Sequence, residues 1–249
     1  MKKRVLSSLA FVGFSALALA GTSGSAATSQ YRDINVFLQF TPQIANQISD
    51  FNQVLTTQGM WSKYATEPLI NTHSVHLTLY LTTYNTKSLP EIIKIVKEDA
   101  KSMKQFAVST SSIQASTSNY VMLFVNNSKN PDGTNNLMQV YSDRLVGGLS
   151  PIRYLQASIP AWASSIPDKE AAYKLYGSPN VYTQFSPHFS ILVANVPSAN
   201  ESTFISDMNG CILNDNFQPV TATAVSIGVG YADVNGQVTQ ILANFPLKK

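Results

Sequence analysis

From residue 34 to 40 the chain alternates, with Val36, Leu38 and Phe40 at every second position and Asn35, Phe37 and Gln39 between them. That period of two predicts a strand. Thr41-Pro42 reads as a cap followed by proline at the first helical position, and Ile44, Ile48, Phe51 and Leu55 recur at helical spacing towards a stop at Gly59. Residues 75–82 return to strand. Ser88 and Pro90 then open a helix whose Ile92, Ile93, Val96, Ala100 and Met103 form an apolar face. Residues 108–115 and 120–126 predict a hairpin, and the Asn-, Gly- and Pro-rich stretch 127–136 predicts a loop. Helices are expected at 137–149, ending near Gly147-Gly148, and at 167–175. A strand at 186–196 closes on Pro197, a helix covers 201–213, and 221–231 with 237–245 make a last hairpin through 233–236. The two halves share an order of strand, helix and strand.

The first residues follow a different pattern. Lys2, Lys3 and Arg4 precede an uncharged apolar run over 5–20 and a string of small residues over 21–27. The run is shorter than the ~20 apolar residues a bilayer span needs, and its flanks fit a secretory signal peptide. Ala18-Leu19-Ala20 and Ser25-Ala26-Ala27 both suit cleavage. The expected organisation is a signal peptide at 1–27 and one domain at 28–249, exported to the periplasm or medium of a bacterium, with no later membrane span. Export also changes the charge. Of 17 Lys and Arg against 14 Asp and Glu, three basic residues belong to the leader, so the mature chain carries 14 of each. Zero net charge argues against long nucleic acids, which need many phosphate-neutralising side chains, and leaves small ligands open. The row Lys94, Lys97, Lys101 and Lys104 on the second helix reads as a solvated face. Cys211 is the single cysteine, so packing must hold the domain without an intramolecular disulfide.

Three histidines occur, His73, His76 and His188, and two fall inside predicted strands. Successive strand residues point to opposite faces. Val75, Leu77, Leu79 and Leu81 make one row, and Ser74, His76, Thr78, Tyr80 and Thr82 make the other, away from the core. The second strand repeats this, with Pro187, Phe189, Ile191 and Val193 towards the core and Ser186, His188 and Ser190 opposite. The unit His76-Leu77-Thr78-Leu79 thus recurs 112 positions further on as His188-Phe189-Ser190-Ile191.

In these two motifs the chain resembles the 2H phosphoesterases, the superfamily of 2′-5′ RNA ligase-like proteins and cyclic nucleotide phosphodiesterases. The resemblance implies a bilobal α+β fold with two antiparallel sheets flanking a cleft, helices outside, and one motif on a central strand of each lobe. It implies hydrolysis of a 2′,3′-cyclic phosphate or related phosphodiester on a small nucleotide or short oligoribonucleotide, by a monomer, without cofactor or metal. His76 and His188 would serve as acid and base, with the order open, since imidazole titrates near neutrality. Thr78 and Ser190 would donate to non-bridging phosphate oxygens. Other outcomes of the same cleft are a nucleotide-binding module without turnover and a hydrolase of 2′,5′-linked or non-nucleotide phosphodiesters. His73 is expected in a loop or at the strand start. Tyr80 is placed to stack on a base or pack at the cleft edge, and Gly228 with Gly230 to make room for substrate or for close packing.

Overall fold

A computed structural model describes residues 30–116 and 119–249; the expected leader at 1–27 lies outside the described residues. The first alternating segment becomes β1, Tyr31–Phe40. Its Ile34, Val36 and Leu38 enter the main core with Ile44, Ile48, Phe51 and Leu55 of α1, Gln43–Thr57. Gly59, in the left-handed region at φ 68°, stops α1 and leads to the short α2, Met60–Lys63. Thr41 does not cap α1. Its hydroxyl instead accepts from the backbone N–H of Thr223 at 2.9 Å, tying the start of the helix to a neighbouring strand.

The chain continues through β2, Leu77–Asn85, α3, Leu89–Ala100, β3, Phe106–Ala115, and β4, Tyr120–Val125. Then come α4, Leu137–Leu149, α5, Ala161–Ser164, α6, Pro167–Tyr176, β5, His188–Val193, and α7, Glu201–Asn214. The last hairpin is β6, Thr221–Ala232, with β7, Val238–Pro246. Helix α4 starts on the side chain of Asn136, which accepts from Gln139 N–H, and runs through Gly147-Gly148 to Leu149.

Every strand pairing is antiparallel, along the path β2-β1-β6-β3-β4-β5 with β7 beside β6. Strand β3 belongs to two sheets. Phe106 to Ser109 pair with β6, whereas Thr110 to Ala115 pair with β4. The array is therefore an α+β pair of antiparallel sheets joined through β3. The two motif strands stand at the ends of the path rather than at its centre, which corrects the expectation of central strands. There β2 and β5 approach each other and close the array. Helices α1 and α3 pack on β6, α4 on β2 and α7 on β3. Buried side chains of both sheets fall in one apolar cluster.

The lysine row of α3 and the turn that follows it is solvated as expected. Lys94, Lys97, Lys101 and Lys104 are exposed, and Lys101 pairs with Glu98 at 2.7 Å. Among the described residues, no helix is long and apolar enough to cross a membrane.

Candidate active site

His76 immediately precedes β2 and His188 opens β5. Each ring makes the same local bond: His76 Nδ1 lies 2.8 Å from the carbonyl of Ser74, and His188 Nδ1 lies 2.7 Å from that of Ser186. A carbonyl only accepts, so Nδ1 carries the proton in both neutral rings and Nε2 keeps its lone pair. Each ring also leans on a phenylalanine of the adjacent strand. Phe37 of β1 meets His76 edge-on at 5.4 Å between centroids, and Phe124 of β4 lies 5.7 Å from His188.

The motifs share a backbone irregularity as well. On β2, Val36 pairs with Tyr80 and Phe37 with Thr78, leaving Leu79 as an extra residue. On β5, Val121 pairs with Leu192 and Met122 with Ser190, leaving Ile191 extra. Such bulges bend a strand and re-aim side chains. Here each falls on the fourth motif residue, directly after the hydroxyl. Strict alternation consequently ends at this point. Leu79 and Tyr80 are both buried, as are Ile191 and Leu192.

Two buried amides complete the half-sites. Asn35 Nδ2 donates to Thr78 Oγ1 at 2.8 Å and to the carbonyl of Gly236 at 3.1 Å, and lies 3.4 Å from His76 Nε2. Gln237 Nε2 donates to Ser190 Oγ at 2.9 Å and to the carbonyl of Asn235 at 3.2 Å. In each case the carbonyl fixes the nitrogen end of the amide as the donor. Thr78 and Ser190 therefore accept from an amide, and their own O–H is free to donate elsewhere. Neither amide figured in the sequence reading. Asn35 had a visible signal, as a polar residue inside the apolar run Ile34 to Leu38, because a buried amide needs a partner. Gln237 carried none.

Burial, which disfavours the charged imidazolium, holds both histidines below their ordinary value of 6.5. The bond to Ser74 offsets this in part for His76, while charge on His188 and then on His73 lowers it further. The bond to Ser186 does the same for His188, and the cation of Lys169 pushes it down. Lys169 donates to Asn180 Oδ1 at 2.6 Å and to the carbonyl of Gln184 at 2.7 Å. Where the two motif strands meet, the cavity touching Ser74, His76, Ser190 and Gln237 measures ≈ 10 Å³, about the space of one water molecule.

The remaining candidates resolve differently. Tyr80 is 1 % exposed, and its hydroxyl donates to the carbonyl of Tyr176 at 2.5 Å, so it packs and does not stack on a base. Gly228 makes room for protein: an added Cβ would stand 2.4 Å from Phe37 Cζ. Gly230 does likewise, 2.7 Å from the carbonyl of Gln240. His73 precedes the strand and faces Asp233, Nε2 to Oδ2 3.7 Å. Among the described residues, no three His, Cys, Asp or Glu side chains group to hold a metal ion.

Fold and site together define an α+β protein with paired histidines where its two sheets meet. No family model matches the chain, and no curated protein matches it. Among solved structures it is similar to LigT of E. coli in complex with 3′-AMP, at 10% identity and a TM-score of 0.45 over 88% of this chain and 99% of that one. It is also similar to TT0787 of Thermus thermophilus, at 11% identity and 0.47, covering 87% and 98%. A third such structure is a phosphoesterase, at 11% and 0.42, covering 88% and 99%. These likenesses are of overall form, and the chemistry rests on this chain's own residues.

Proposed function

We propose that this chain is an exported phosphodiesterase of the two-histidine type, which opens a 2′,3′-cyclic phosphate, or a related phosphodiester, on a small nucleotide or short oligoribonucleotide. The observation that carries the reading is the matched pair of half-sites. Each holds an imidazole with Nδ1 fixed on a backbone carbonyl, two residues from a hydroxyl whose proton is free to donate. A cyclic phosphodiester needs those groups in that number.

In this reading His76 is the base and His188 the acid. The half-sites match in ring and hydroxyl, so the mirrored assignment would use the same atoms with the roles exchanged. Water attacks phosphorus as its proton passes to His76 Nε2. The bond from phosphorus to the ribose oxygen breaks, and that oxygen takes the proton from His188 Nε2. Thr78 and Ser190 donate to the non-bridging oxygens as charge builds there. The product is a phosphomonoester, and exchange with water resets the pair.

A substrate panel tests the reading: 2′,3′-cyclic mononucleotides, 2′,5′-linked dinucleotides and a non-nucleotide phosphodiester, with products resolved by phosphorus NMR. Conversion of the cyclic mononucleotides to a single phosphomonoester is the expected result. Conversion of none of the three leaves a ligand-binding cleft without turnover.

A further inference from the structure

The turn between β6 and β7 lies against both half-sites, through Gly236 on Asn35 and Gln237 on Ser190. Asp233 Oδ1 accepts from Asn235 N–H at 2.8 Å and from Gln237 N–H at 2.9 Å, and Gly236 N–H returns to the Asp233 carbonyl at 3.0 Å. The turn therefore holds its own shape. Polar side chains outside 233–237 reach its tip from both sheets, and His76 lies against the Gly236 backbone. Asn35 donates to the Gly236 carbonyl at 3.1 Å, His73 faces Asp233 at 3.7 Å, and the Tyr120 hydroxyl reaches Asn235 Oδ1 at 3.3 Å and its carbonyl at 3.4 Å. Most of these contacts are long, so the tip is lightly held. Val234 at its apex is 96 % exposed, whereas Gln237 at its end is 5 % exposed and fixed on Ser190.

The Gly236 carbonyl oxygen takes an N–H of the same amide that holds Thr78, beside His76. A carbonyl oxygen in that place is chemically a substitute for a non-bridging phosphate oxygen, since it accepts the N–H that lies beside Thr78 and His76.

We propose that residues 233–236 form an autoinhibitory strap: closed, the Gly236 carbonyl occupies a phosphate-oxygen position, and a phosphate group enters only when the strap lifts about Gln237. The inference rests on the phosphodiesterase reading for the class of ligand, and not on turnover. Opening gives back the Asn35 N–H, and binding must supply the cost of releasing these links.

Inorganic phosphate is the probe, and the whole mature chain is used. Val234→Cys carries a nitroxide label at the apex, with Cys211 buried at 2 % exposure and left in place. Phosphate is expected to change the label's spectrum from a held to a freer state. Tyr120→Phe removes a latch without changing charge and is expected to tighten phosphate binding by about two- to tenfold, the effect of one hydrogen bond. Asp233→Asn keeps the acceptor Oδ1 and removes the carboxylate charge that faces His73, and is expected to act the same way. Phosphate that binds with an unchanged spectrum overturns the strap. So does equal affinity in wild type and Tyr120→Phe, or no binding by either. A strap that lifts for phosphate in a protein without turnover would end the catalytic reading and leave this one standing.

Discussion

Gln237 and Ser190 lie 47 positions apart in sequence and meet at 2.9 Å, the amide nitrogen donating to the hydroxyl. The direction of that bond decides what Ser190 can do. A hydroxyl that already accepts from an amide turns its own hydrogen outwards, ready for an oxyanion. Asn35 treats Thr78 of the neighbouring strand in the same way. The two half-sites thus match in ring, carbonyl, phenylalanine, bulge and amide, though their motifs share only histidine and a hydroxyl position by position.

Removing the phosphate donor should cost more than removing the group that aims it. Ser190→Ala is expected to lower kcat by about 10²-fold, and Gln237→Leu by about two- to tenfold. The double variant should be no slower than Ser190→Ala alone, because Gln237 acts through the hydroxyl. Steady-state kinetics on the four proteins checks this, and additive losses would contradict it.

Gly228→Ala should disturb the site from behind. The new methyl would stand 2.4 and 2.6 Å from ring atoms of Phe37, which is fully buried and meets His76 edge-on. Overpacking of this kind costs about 1–3 kcal/mol. Urea unfolding should show that loss, and Phe37→Leu in the same chain should restore part of it. A Gly228→Ala protein as stable as wild type would show that the ring is not a fixed support.

The pH dependence has a definite sign. Both site histidines are held below 6.5 by burial, so between that lowered value and 6.5 the unfolded chain binds more protons than the folded one. Stability from these groups is complete above 6.5 and is lost as pH falls through the folded values. The melting temperature should therefore drop on acidification below 6.5, and less steeply in a His76→Asn, His188→Asn double variant. The optimum of kcat/KM should lie on the acid side of 6.5, since His188 must hold its proton. An optimum above 7.5 would contradict the lowering.

The motif residues were legible in the sequence because His76 with Thr78, and His188 with Ser190, stand two positions apart and need only a strand to align each pair. The elements were legible for the same reason, since α4 and the last hairpin follow local periodicity and turn residues. Tyr80 was misplaced because one extra residue, Leu79, ends the alternation, and a bulge depends on the partner strand β1. The strap escaped notice because its contacts to Asn35, His73 and Tyr120 span 201, 160 and 115 positions. Thr41 looked like a cap because nothing local reveals Thr223.

The most direct test of the account is turnover of 2′,3′-cyclic nucleotides by the mature protein in EDTA, beside His76→Ala and His188→Ala. The two-histidine chemistry predicts that the wild type keeps its rate in the chelator and that each variant loses about 10²–10⁴-fold. Activity abolished by EDTA, or a variant that turns over at the wild-type rate, would contradict it.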